Sequence, residues 1–517
     1  MKPQDLDKIK RQGASTDPTE PEDEPTRYDE DLRRKTRGSI VWTVVRIASD
    51  QAFSFAIFVI LARLLTPHEV GIFALAIAFS EIGRIIAIQG MVQNIPRSKH
   101  LTPALADTVF WSNLGMSVVV ALLVLVLAPS IMTLIGQPDS VRPLQALGFV
   151  LPIAALGATH LSLRLREFGH KSLALRSVMG GALGGAAAIA AAYSGWGVWS
   201  LVVQRFVTET VNAAMSWHAY RWIPGRNFSM VQLRKTWAFG FNIAATQIIG
   251  LLPRRAMDVI LGAMIGAAAV GINRTAWRTT ELVASGTVQP FTSVALQTLS
   301  RLQSDTAEMV KAYRWMLTRS SMLTFPALVG FGVLAPDAVP AIYGPKWVEA
   351  GHLAQVFAFM AVPYSLASFS SPILMALGRG SSLQTLALGQ AIATIVFVIL
   401  AAPFGLFVVA CVWVVRAYLA LPFQMWFLQR ASGIRPRDSL SAIAAPFFAS
   451  LIMGAAVWSL MEILRPHFSR SLESVATGVA SGMLIYGIAL YAISPVARAM
   501  ARHWLKVLRT RNWRKKA

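Results

Sequence analysis

The chain has 517 residues, 55% of them hydrophobic and only 14% charged, with a formal net charge of +22. A soluble domain carries about 25% charged residues, so this composition, with a mean hydropathy of +0.52, excludes an ordinary soluble protein and implies an all-α polytopic membrane protein. A single cysteine, Cys411, excludes an intrachain disulfide and a thiolate metal cage.

Residues 1–38 carry nine basic and ten acidic side chains and no apolar core, which reads as a disordered cytoplasmic tail rather than a signal peptide. Fourteen apolar spans follow, at 40–64, 69–95, 105–133, 143–163, 172–193, 196–219, 237–264, 270–299, 315–335, 349–374, 381–401, 405–428, 440–463 and 474–494. Each reaches the roughly 20 residues that a helix needs to cross a bilayer, about twice the length of a barrel strand, and none alternates polar with apolar. Turn signals such as "TPHE", "GQPDS", "SGWG" and "LGRGSS" separate them. The longest connection after the tail, 222–236, divides the first twelve spans into an N-lobe over 39–221 and a C-lobe over 237–430. The last two spans form a C-terminal pair over 431–495, and 496–517 is a basic cytoplasmic tail. The end of that tail, "RAMARHWLKVLRTRNWRKKA", has the helical spacing of an interfacial amphipathic helix. With the N-terminus in the cytoplasm, the cytoplasmic connections hold 28 Lys and Arg and the opposite side holds 4, the asymmetry expected of an inner-membrane protein with both termini inside. That bias accounts for the basic balance without nucleic acid.

Charges inside the spans carry the functional signal, because each costs a few kcal/mol at mid-bilayer unless paired or wet. Arg46/Asp50, Arg205/Glu209 and Arg254/Asp258 are spaced four apart and Glu81/Arg84 three apart, so pairing along one helix face is expected. Eleven arginines face five carboxylates, an excess that suits an anionic cargo in a water-filled cavity between the lobes. Guanidinium groups match phosphate through two-pronged hydrogen bonds. The expected cationic cavity is lined by Arg46, Arg84, Arg254, Arg255 and Arg278, with Asp50, Glu81, Asp258 and Glu281 as pairing or proton-coupling partners. Arg63, Arg176, Arg274, Arg319 and Arg416 lie near span ends, where the simpler reading is that they snorkel to headgroups. Catalysis finds no support: there is no HExxH, P-loop, GxGxxG after a strand or nucleophile elbow, the eight histidines are scattered, and neither metal nor cofactor is expected.

Four segments carry a resemblance: "FVILARLLTPHEVGIFALAIAFSEI" (58–82), "DVILGAMIGAAAVGINRTAWR" (258–278), "IYGPKWVEAG" (342–351) and "LMALGRGS" (374–381). Together they resemble the bacterial polysaccharide transporter family, the Wzx-like oligosaccharide flippases of the multidrug/oligosaccharidyl-lipid/polysaccharide flippase superfamily. The resemblance spans about residues 38–430. It implies two six-helix lobes around a central cationic cavity, alternating access, and a cargo of saccharide repeat units on undecaprenyl diphosphate for exopolysaccharide or lipopolysaccharide biosynthesis. Partners expected on that basis are the lipid-linked oligosaccharide, the membrane, and a polysaccharide polymerase with its export complex. The sequence departs from the family pattern in its long acidic tail and at Asn273 and Arg274, where an aromatic is usual. Rival readings are a peptidoglycan lipid precursor flippase, a cation antiporter, a membrane polymerase or ligase, and a scaffold in an export complex.

Overall fold

The computed structural model describes residue 51 and residues 53–98, 101–167, 169–464 and 471–509. Among these, every regular element is helical. In chain order they are α1 (Phe53–Leu64), α2 (Pro67–Arg84), α3 (Pro103–Leu134), α4 (Val141–Arg166), α5 (His170–Tyr193), α6 (Val198–Ala219), α7 (Met230–Met264), α8 (Ala267–Arg301) and α9 (Thr306–Tyr343). There follow α10, a pair Val348–Ala358 and Ala361–Ala376 bent by 63°, then α11 (Gly380–Ala401), α12 (Leu406–Ser432), α13 (Pro436–Leu464), α14 (Ser471–Ile493) and α15 (Pro495–Arg509). Thirteen of the fourteen expected spans fall within a few residues of a helix core, and of the first, 40–64, only the part from residue 53 belongs to the described helix. Of the segment 498–517, where an interfacial helix competes with a disordered basic tail, the part to Arg509 is helical as α15 and 510–517 lie outside the described residues. The segment between α6 and α7 is shorter than the sequence suggests, because Ser229 caps Gln232 N and starts α7 at Met230.

Local chemistry sets the helix ends. The "TPHE" turn is a capping box: Thr66 and Glu69 satisfy each other's backbone N–H groups, and Pro67 fills the first turn, where no N–H partner is needed. α7 and α8 are separated by Gly266, whose φ of +121° suits glycine alone. Nine described helices are long and apolar enough to cross a membrane, and the bent α10 makes a tenth. On α3, Leu122, Val126 and Leu134 stand on the outside, a surface suited to hydrocarbon rather than water. The described part of α1 is too short for that standard, and α6, α7 and α8 fall short of it; these last three carry charged residues into the interior.

Helices α2–α6 pack on one another and α8–α12 on one another, α7 packs on both α11 and α2, and α13 and α14 lean on α9 through Leu334, Met453 and Val457. The lobes meet along seams of small residues. A Cβ on Gly71 of α2 would lie 1.7 Å from the Ala267 carbonyl oxygen of α8, and one on Gly271 would lie 2.0 Å from the Pro67 carbonyl oxygen. At the other end of α2 a Cβ on Gly90 would lie 2.5 Å from the Gly240 carbonyl oxygen of α7. The Gly71 end is also locked by reciprocal capping of two helix C-termini. Arg63 of α1 donates to the Ala341 and Ile342 carbonyls of α9 at 2.7 Å each. In return Lys346 and Trp347 donate to the Arg63 and Ala62 carbonyls at 2.9 and 2.8 Å. Cations and N–H donors at carbonyl-rich helix ends are favourable on both sides of this exchange. The two lobes therefore touch at two separate places, at Gly71 and Gly271 and again at Gly90 and Gly240.

Because the atoms facing Gly71 and Gly271 are backbone, they cannot step aside. Alanine at either position should lower the thermal stability of detergent-purified protein by about 1–3 kcal/mol. Gly389→Ala in α11, where a Cβ meets nothing within 4 Å, should instead raise it by about 0.5–1 kcal/mol through helix propensity. Equal unfolding midpoints for all three variants would show that the seam is not a close contact.

Candidate functional site

The charged side chains converge between the lobes, roughly 10–15 Å along α7 and α8 from the turn that joins them. In α7 they follow Pro253, which removes one helical hydrogen bond just before Arg254 and Arg255. In α2 they sit beside a five-residue π-helical stretch, Ile85–Gln89, that begins directly after Arg84. Such irregular turns concentrate at functional sites because they re-aim side chains from an otherwise regular helix.

Asp258 and Arg255 are both buried and paired at 3.0 Å. Arg274 approaches the same Asp258 oxygen at 3.9 Å and donates to the Ala74 carbonyl of α2 at 3.3 Å. The other terminal nitrogen of Arg255 bridges to Glu81 of α2, so this ion pair joins the two lobes. Arg254 pairs with Glu281 of α8 at 2.9 Å, and Arg278 donates to Ser54 of α1 at 2.5 Å. Arg205 and Glu209 pair at 3.1 Å within α6. Arg84 forms no ion pair among the described residues, and its Nε is enclosed without a partner.

Three cavities run through this cluster. The first, about 360 Å³, lies among α1, α2, α5, α6 and α8 and takes in Arg205, Arg274 and Arg278 together with the aromatic wall of Phe53 and Phe58. The second, about 80 Å³, takes in Arg254, Arg255, Arg274 and Arg278. The third, about 380 Å³, opens between α2 and α7 and takes in Arg84 and Arg254. Shared lining residues make them neighbours. Among the described residues Arg84, Arg205, Arg254, Arg255, Arg274 and Arg278 outnumber Glu81, Glu209, Asp258 and Glu281, so these residues give the space a net positive charge.

Four of the five expected cavity arginines, Arg84, Arg254, Arg255 and Arg278, are thus brought together with Glu81, Asp258 and Glu281. Arg46 and Asp50 lie outside the described residues. The expected pairings along single helices are corrected at two places. Asp258 takes Arg255 rather than Arg254, and Glu81 takes Arg255 rather than Arg84. The reason is geometric: contacts three apart and contacts between helices compete with those four apart, and packing decides. Arg205/Glu209 pairs as its spacing suggests. Arg274, read from sequence as snorkelling, is a central member of the site; its spacing of four from Arg278 was the signal. Arg63 is exposed and caps α9, Arg319 lies 4.0 Å over the exposed Trp315 ring, Arg176 donates to the Asn212 carbonyl at 3.0 Å, and Arg416 alone of these four is buried.

A family model described as "Polysaccharide biosynthesis protein" matches residues 60–352. The chain is 25% identical over 475 residues to the succinoglycan biosynthesis transport protein ExoT of Rhizobium meliloti (strain 1021), covering 92% of this chain and 95% of that one. It is 21% identical over 354 residues to the lipopolysaccharide biosynthesis protein WzxC of Escherichia coli (strain K12), covering 67% of this chain and 71% of that one. Among solved structures it resembles the lipid II flippase MurJ in an inward closed conformation, with a TM-score of 0.72 and 12% identity over 88% of this chain and 98% of that one. At that identity the likeness establishes the fold.

Removing Asp258 leaves the buried Arg255 and the partly exposed Arg274 without their shared counter-charge, whereas Glu281 is one-third exposed and its partner half exposed. Asp258→Asn should therefore cost about 3 kcal/mol or more of stability, and Glu281→Gln less than about 1 kcal/mol. Chemical or thermal unfolding of the two variants side by side checks the ranking; equal losses would contradict the network.

Proposed function

Since the chain belongs to the polysaccharide biosynthesis protein family, we propose that it is a flippase that moves undecaprenyl-diphosphate-linked oligosaccharide repeat units across the inner membrane by alternating access. The observation that carries this reading is the excess of guanidinium groups over carboxylates around the cavities between the helices of the two halves. A diphosphate needs several guanidinium donors in a space shielded from water, where each interaction is worth more than at a surface. Arg84, Arg254 and Arg278 have the freedom to turn to a ligand. Arg255 is held on both sides by Glu81 and Asp258, so it positions the others and ties the lobes together. Exchange of Arg255 between its carboxylates and the cargo gives the site a way to loosen the lobe interface when cargo arrives. The names of the relatives, a succinoglycan transport protein and a lipopolysaccharide biosynthesis protein, support exopolysaccharide or lipopolysaccharide repeat units as cargo. A polymerase acting on the far leaflet, with its export complex, is the partner such cargo requires. The likeness in fold to a lipid II flippase favours a peptidoglycan precursor as the second reading.

Export is tested best by Arg254→Gln combined with Arg278→Gln, which lowers the positive charge without opening the buried Arg255–Asp258 pair. The double variant should accumulate in the membrane at normal levels yet fail to restore polymer export in a strain deleted for the gene. Mass spectrometry of undecaprenyl-linked glycans should then find the repeat unit trapped on the cytoplasmic leaflet. Normal export by the variant refutes the cargo assignment, and trapped peptidoglycan precursor instead of repeat unit selects the second reading. The charge asymmetry of the connections supports a cytoplasmic position for the 220–229 segment. Arg221 is exposed there, so Arg221→Cys in a Cys411→Ala background should react with a membrane-impermeant maleimide only after cells are permeabilised; labelling of intact cells would invert the topology.

A further inference from the structure

Arg416 lies in α12 about ten residues, or roughly 15 Å, from the helix start, and its side chain is enclosed by protein. It has no ion pair or hydrogen bond among the described residues. Its guanidinium stands 4.9 Å from the Trp413 ring centroid, and its Nε is enclosed without a partner. An arginine left in this way costs several kcal/mol unless something anionic or wet meets it. Trp413 itself lines the second cavity of the cationic site, together with Trp277, Phe357 and Asn273. The rings of Trp277 and Trp413 meet edge to face at 5.8 Å and those of Trp277 and Phe357 at 5.4 Å. Three polar atoms of this wall, Trp277 Nε1, Trp413 Nε1 and Asn273 Oδ1, are also buried without a partner. Asn273 is only 4% exposed. An apolar core would carry phenylalanine or leucine at such places, since a buried indole N–H normally finds an acceptor.

We propose that Trp277, Trp413, Asn273 and Arg416 form a saccharide subsite in the C-lobe for an acidic sugar. The indole faces stack on a pyranose ring, their N–H groups and the Asn273 carbonyl engage hydroxyls, and Arg416 takes the sugar carboxylate. The subsite opens on the space where Arg254 and Arg278 would hold the diphosphate, so it rests on the flippase reading and deepens it by naming the class of cargo. As it stands, its cavity of about 80 Å³ holds only two or three waters, at roughly 30 Å³ each; the aromatic rings separate to admit the sugar.

The test uses full-length protein in nanodiscs and three probes: cellobiose, cellobiouronic acid and farnesyl diphosphate, each titrated by tryptophan fluorescence and checked by calorimetry. Wild-type protein should bind cellobiouronic acid at least about tenfold more tightly than cellobiose, the gain expected of one charge-assisted hydrogen-bonded pair. Arg416→Gln should abolish that preference and leave both cellobiose and farnesyl diphosphate unchanged, Arg416→Lys should keep part of it, and Trp413→Leu should weaken both sugars. Equal affinity of wild-type protein for the two disaccharides overturns the subsite, as does an Arg416→Gln loss shared by farnesyl diphosphate, which would mark Arg416 as a packing residue. If farnesyl diphosphate fails to bind wild-type protein while the uronic-acid preference holds, the diphosphate assignment falls and the sugar subsite stands.

Discussion

Asp258 shares its carboxylate between the guanidinium groups of Arg255 and Arg274, and the interior of the protein is arranged around that sharing. Charge this deep in a membrane protein persists only where every group has a counter-charge, a donor or water. Arg255 reaches onward to Glu81 of the opposite lobe, Arg274 to the Ala74 carbonyl and Arg278 to Ser54. Each of these contacts crosses from the C-lobe to the N-lobe. The same groups that make the cavity cationic therefore also link the two lobes, and a ligand that competes for the arginines also competes with the lobe interface.

The rest of the fold accommodates that centre. Helices α6, α7 and α8 are too polar to pass as ordinary spans, and they survive because their charged faces look inward while apolar helices such as α3, α13 and α14 meet the lipid. The seams at Gly71, Gly271 and Gly90 bring backbones into contact, so the lobes meet there by van der Waals packing and need no hydrophobic drive, which lipid does not supply between helices. Glycine seams on either side of a polar centre are a geometry in which one can part while the other holds.

Much of this was legible in the sequence. The spans emerged from hydropathy and turn chemistry because both are local: a "TPHE" capping box or a glycine with positive φ acts within a few residues. The convergence of Arg84, Arg254, Arg255 and Arg278 was legible from the cost of burying charge, which demands a shared polar interior. The pairings were less so. A spacing of four favours Arg254 as the partner of Asp258, whereas Arg255, three away, takes it, and a small rotation of α7 about its axis decides between them.

By itself the sequence determined an all-helical membrane protein with an internal excess of guanidinium, since composition and periodicity are summed along the chain and need no partner. Only the tertiary structure decided that Arg274 belongs to the central site, that Arg416 is sealed beside Trp413, and that Glu81 serves Arg255 of the other lobe. An arginine at a given distance from a span end can reach headgroups, cap a neighbouring helix or enter a cavity. Which of these it does depends on the direction its helix face takes in the packed bundle, and residues hundreds of positions away set that direction.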